Sequence, residues 1–144
     1  MLIVMMGLPG TGKSAIAEAV ARAIGAPVFS VDPIEATLIR AGITREQRSG
    51  YAAYNLALML ARSQLELGQS AVVDAANYVE IARAWWRDLA AEFAVRRGAD
   101  RMCLLGCRTA QAENRIAEPE HRWLHLRAVV GGGREGAYRI RAVQ

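Results

Sequence analysis

The sequence predicts a three-layer α/β fold with a parallel sheet, and a small set of observations carries that prediction. An apolar run, Leu2-Ile-Val-Met-Met, passes straight into the glycine-rich turn Gly7-Leu-Pro-Gly-Thr-Gly-Lys13-Ser14 and then into the helix-forming run Ala15–Arg22. Short apolar runs bounded by turn residues then alternate with longer stretches of three-to-four periodicity. Both later apolar runs end in an aspartate, Asp32 and Asp74. In an open parallel sheet those ends share one edge with the glycine-rich turn.

Each element follows from local chemistry. The first helix is expected over roughly 13–24, because Gly25 is a natural stop and Pro27 forbids continuation. Val28-Phe29-Ser30-Val31 reads as a short strand ending at Asp32, with Pro33 opening a second helix as a first-turn proline and Asp32 as its cap. Gly42 closes that helix. A long helix is expected over 46–67, its apolar positions Tyr51, Tyr54, Leu58, Ala61 and Leu65 recurring at three and four, with Gly68 as its stop. Ser70–Asp74 is a third strand and Ala75-Ala76-Asn77 a turn. A helix over 79–94 should present Ile81, Trp85, Leu89 and Phe93 on one face. Strand–helix alternation of this kind implies right-handed crossovers, and no internal repeat interrupts it.

Composition bounds the function. The 144 residues make one domain, 53% hydrophobic and 22% charged. No apolar run reaches the roughly 18 residues of a membrane span, and the N-terminus lacks the basic start of a signal peptide. A cytoplasmic protein without a membrane partner is the expectation. Cys103 and Cys107 do not make a disulfide framework. The net charge of +4 conceals a break: residues 1–94 hold 8 basic and 9 acidic side chains, residues 95–144 hold 10 and 5.

The Gly-x-x-x-x-Gly-Lys-Ser spacing is that of a phosphate-binding loop between a strand and a helix. Gly7, Gly10 and Gly12 let the backbone bend so that amides point at a nucleotide's phosphates, and the helix start adds unpaired N–H groups. The expected nucleotide-binding stretch is Gly7, Leu8, Pro9, Gly10, Thr11, Gly12, Lys13, Ser14 and Ala15. Lys13 would reach the terminal phosphates and Ser14 would ligate Mg2+. Of the 18 basic residues, Lys13 is the single lysine. A chain that otherwise uses arginine keeps lysine where a compact point charge is wanted. Asp74 is placed to hold the magnesium shell, directly or through water. Asp32 is placed to orient an acceptor hydroxyl and take its proton, with a plain helix cap as the alternative. Asn77 either hydrogen-bonds the acceptor or shapes the turn. Arg40, Arg45 and Arg48 read as a solvated face.

Gly7–Ser14, Ser30-Val-Asp32-Pro-Ile-Glu and Val72-Val-Asp74-Ala-Ala-Asn77 together resemble the small bacterial P-loop kinase-like proteins of the AAA type. These are related to the polynucleotide 5′-hydroxyl kinase domain, chloramphenicol phosphotransferase and zeta-toxin kinases. The resemblance covers residues 1–94. It implies a three-layer P-loop NTPase fold of nucleoside-kinase-like form, ATP, magnesium, and transfer of the γ-phosphoryl to a hydroxyl on a small molecule or a nucleic-acid end. By that analogy Lys13 and Ser14 serve nucleotide and metal, Asp32 is the base, and Asp74 supports metal or acceptor. A regulatory nucleotide-binding module or NTPase without an acceptor is the rival reading, and an ATPase with a basic RNA-binding tail is a third.

The last fifty residues depart from that pattern. The family continues with a strand and an arginine-bearing lid helix, whereas residues 96–144 show no comparable helix face and contain Gly131-Gly132-Gly133. Cys103-x₃-Cys107-x₁₃-His121-x₃-His125 lies near zinc-finger spacing. Pro119 sits where such a finger's helix should run, and only Ile116 is apolar in the packing segment, so zinc is not expected. A frameshift accounts for the tail better. Back-translating Asp100–Trp123 with degenerate codons and reading one nucleotide later allows IECVCSDVELHRRRIESRNRNI, an apolar strand ending in Ser-Asp and then an arginine-rich helix. A break near residues 95–99 is therefore expected, leaving Arg108 and Arg115 as chance substitutes for lid arginines and Leu104-Leu105 able to add a strand.

Overall fold

The computed structural model describes residues 1–97 and 102–106. In chain order the elements are β1 (Leu2–Met6), α1 (Lys13–Ile24), β2 (Val28–Ser30), α2 (Val31–Arg40), α3 (Ser49–Glu66), β3 (Ala71–Asp74), α4 (Glu80–Arg97) and β4 (Met102–Gly106). The strands form one parallel sheet in the order β2-β3-β1-β4. Val4 of β1 lies opposite Val73 of β3, and Ser30 of β2 opposite Asp74, so the strands end together at one edge. The strand allowed for at Leu104-Leu105 is present: β4 pairs along the whole of β1, from Leu2↔Met102 to Met6↔Gly106.

Both faces of this sheet are covered, which is why its strands are continuously apolar rather than alternating. Leu2, Val4, Ala71 and Val73 face a core built with α3, α4 and Val31 of α2. Ile3, Met5 and Val72 face the opposite way, onto Ala17, Val20 and Ala21 of α1. The fold is α/β with a parallel sheet between helical layers, as the alternation of elements required.

Several local expectations shift. Helix α2 begins earlier than Pro33: Ser30 is its N-cap and Val31 its first residue. Asp32 is therefore a second-position residue in the first turn, not the cap, and Pro33 occupies the third position. That place tolerates proline because the first four helical amides have no intrahelical partner. Helix α3 starts at Ser49 rather than near 46, after Arg48 takes a left-handed conformation with φ 61°. Its buried stripe is Ser49, Ala53, Ala57, Ala61 and Leu65, at strict fourfold spacing. Tyr54 and Leu58 only flank it, and Tyr51 is 55% exposed. Small side chains let the helix backbone lie close over the sheet; a tyrosine in the stripe would lift it off. In α4 the inward face is Ala82, Trp86, Leu89 and Phe93. Ile81, expected inside, is 60% exposed, and Trp85 instead meets Tyr51 and Tyr54 edge-on at ring distances of 5.3 and 6.2 Å.

Candidate nucleotide and phosphoryl-transfer site

The phosphate loop leaves β1 at Gly7 and enters α1 at Lys13. Gly7, Gly10 and Gly12 have φ of 146°, 78° and 82°, a region that side chains other than glycine's rarely enter. Nothing lies within 4 Å of where a Cβ on Gly10 or Gly12 would stand. Backbone conformation, not crowding, therefore demands glycine at both. Gly12 is also the N-cap of α1 and brings no side chain to cap it, so the amides of the first turn stay available to an anion. Across the mouth of the loop, Lys13 Nζ and Thr11 Oγ1 both donate to the Leu8 carbonyl at 2.8 Å. Ser14 is exposed in the first turn of α1.

Asp74 closes the adjacent strand. It is 8% exposed and has no hydrogen bond or ion pair to any described residue. Among the described residues no buried side-chain nitrogen or oxygen lacks a partner, so the unbonded Asp74 oxygens open onto the sheet edge, where a cation can reach them. The hard oxygen of Asp74, with the Ser14 hydroxyl across the same edge, is the donor type that magnesium takes. The residues present thus fit that ion.

Beyond Asp74 the chain turns back onto the loop. Gly7 N–H donates to the Ala76 carbonyl at 3.2 Å. Asn77 is fully buried with both ends of its carboxamide bonded: Nδ2 donates to the Met5 carbonyl at 2.7 Å, and Oδ1 accepts from Trp86 Nε1 at 2.9 Å. Those bonds occupy one donor and one acceptor site of a buried carboxamide and tie it into the turn, the turn-shaping alternative of the two. Arg83 clamps the same turn, Nη1 donating to the carbonyls of Asn77 and Tyr78 while its guanidinium pairs with Glu80.

Asp32 is exposed at the start of α2, two positions beyond the end of β2 and on the same edge. Three neighbours went unread in the sequence. The Tyr54 hydroxyl accepts the Asn77 backbone N–H at 3.3 Å. Burial pushes the Tyr54 phenol up, the Asn77 hydrogen bond opposes this, and the charges of Asp32 and Glu35 add to the rise. Glu35 in turn accepts from the buried Ser49 hydroxyl at 2.9 Å. The signal for Glu35 was present, since residues three apart share a helix face with Asp32. Tyr54 was hidden by its ring, which reads as one more apolar position. Arg40, Arg45 and Arg48 are exposed, as a solvated face requires. The structure gathers the phosphate loop, Asp74 and Asp32 on one edge. Arg108, Arg115, Cys107, His121 and His125 lie outside the described residues, and the described residues hold no cluster of metal-ligating side chains. No described helix is long and apolar enough to cross a membrane.

A phosphate loop on the central strand of a parallel three-layer sheet defines the P-loop class of nucleotide-binding domains. Within that class, a family model described as an AAA domain matches residues 2–127, and the chain belongs to this family. No curated protein matches the sequence. Among solved structures, a putative kinase from Chloroflexus aurantiacus is 24% identical with a TM-score of 0.61, over 74% of this chain and 58% of its own. The chain thus spans a little over half the length of that protein. An APS kinase from Mycobacterium tuberculosis is 23% identical with a TM-score of 0.59, over 80% of this chain and 81% of its own. The same enzyme in complex with AMPPNP and APS gives 23% and 0.59, over 76% and 63%. The fold is that of small P-loop kinases.

Proposed function

We propose that the chain binds ATP with magnesium and transfers the γ-phosphoryl group to a hydroxyl acceptor. The observation that carries this reading is the meeting, at one sheet edge, of a phosphate loop, the Asp74 carboxylate at the end of β3 and an exposed carboxylate at Asp32. Loop amides and Lys13 hold the phosphates. Ser14 and Asp74 would hold magnesium, which neutralises charge on the β- and γ-oxygens when bound. Asp32 accepts the acceptor's hydroxyl proton as its oxygen bonds to the γ-phosphorus. The bond from that phosphorus to the β–γ bridging oxygen breaks, and ADP leaves. The APS kinase in complex with AMPPNP and APS supports the reading that a fold of this type holds two such molecules together; the acceptor here is defined only as a hydroxyl. We further propose that the frame breaks near residues 95–99, so that the lid arginines are missing and turnover is weak.

Radiolabelled ATP and a panel of hydroxyl acceptors test the reading. Asp32→Asn should cut transfer about 10²–10⁴-fold while ATP affinity stays unchanged. Undiminished transfer removes Asp32 as the base. ATP hydrolysis without transfer, insensitive to Asp32→Asn, favours the regulatory NTPase instead.

A further inference from the structure

The proposed reaction assigns no step to Asn77, yet it is among the most constrained side chains of the described residues. It is 0% exposed and adopts φ 50°, one of two non-glycine residues with positive φ among the described residues. Asparagine tolerates this region better than most residues, but glycine would enter it without cost. The side chain has to be there for what it bonds. Its orientation is fixed by its partners: an indole N–H can only donate and a backbone carbonyl can only accept. Oδ1 must therefore face Trp86, and Nδ2 must face Met5.

The Met5 carbonyl stands two residues before Gly7, whose own N–H bonds to Ala76. Two hydrogen bonds on either side of Met6 thus tie the root of the phosphate loop to the turn after β3. One of them crosses 72 positions of sequence. At the other end of Asn77, its backbone N–H meets Tyr54 of α3 and its carbonyl meets Arg83 of α4. We infer that Asn77 is a positioning residue for nucleotide binding: its carboxamide holds the end of β1 so that the loop amides converge on the phosphates. The inference rests on the nucleotide-binding reading. A loop freed at its root has to be ordered again when phosphate binds, and that ordering weakens affinity.

Calorimetric titration with MgATP tests it. Asn77→Asp keeps size, left-handed tolerance and an acceptor for Trp86, but sets an oxygen against the Met5 carbonyl in place of a donor. Asn77→Gly keeps φ without strain and removes both bonds, so it decides the matter should the aspartate variant fail to fold. Leu65→Ala, at the far end of α3, controls for stability alone. Both Asn77 variants should raise the Kd for MgATP about tenfold or more, and Leu65→Ala should leave it within about twofold despite an equal or larger fall in Tm. Folded Asn77 variants that bind within about twofold of the parent chain overturn the inference, as does Leu65→Ala weakening binding equally. If the parent chain fails to bind MgATP, or Lys13→Ala binds as the parent does, the nucleotide reading itself falls.

Discussion

Trp86 is the largest fully buried side chain of the described residues, and its one polar atom has one partner, Asn77 Oδ1. Trp86 lies on the same inward face of α4 as Ala82, Leu89 and Phe93. Trp86→Phe keeps most of the ring but strands a buried acceptor, and the expected loss is about 1–3 kcal/mol of stability. A shift of the urea midpoint at constant m-value measures it. The same bond explains what was legible here and what was not. Glycines at Gly7, Gly10 and Gly12 announce a loop because the demand is made on the backbone, which sequence states directly. A tryptophan chosen to satisfy an asparagine nine positions earlier is a demand made in space. Periodicity therefore selected Ile81 and Trp85, one position off from the Ala82 and Trp86 that are buried.

At the scale of the element, α3 and α4 hold the argument. Ala53, Ala57 and Ala61 of α3 are buried completely. Ala57→Leu should overpack that site by about 1–3 kcal/mol, read as a lower urea midpoint. The parallel pairing was foreseeable, since continuous apolar strands joined by helices imply it, whereas the order β2-β3-β1-β4 was not read from the sequence. Helix starts were less foreseeable: Ser30 and Arg48, not Asp32 or a residue near 46, flank the first turns, because turn hydrogen bonds such as Ser49 N–H to the Thr44 carbonyl set them. Helix α4 begins with Glu80, which Arg87 and Arg83 hold below the usual carboxylate range. A depressed carboxylate adds stability above its unfolded value of 4.5, lost as pH falls through its folded value. Glu80→Gln should thus lower Tm at neutral pH, with the difference closing once pH drops below the ordinary carboxylate range. A Tm gap that persists in acid would show that the ion pairs are not its source.

Across the whole molecule, the composition break and the limit of good local patterning fall at nearly the same place in the chain. Residues 1–94 are balanced in charge; the fifty that follow carry a net of +5 by their 10 basic and 5 acidic side chains. Strand β4 still adds to the sheet edge beside β1 in the frame as given. A chain carrying the shifted frame after residue 99 should transfer phosphoryl groups about 10³-fold faster, because lid arginines stabilise the transferring group. Sequencing the gene region is the prior check, and an early stop codon in the shifted frame ends the idea.

The single lysine of the chain has a consequence for experiment. Its ammonium lies across the mouth of the phosphate loop, 2.8 Å from the Leu8 carbonyl. Any reagent that acylates side-chain amines therefore has one address here, and that address is the nucleotide site. An acyl-phosphate analogue of ATP would mark occupancy by a single mass increment, erased by excess ATP, with no background from other lysines to subtract.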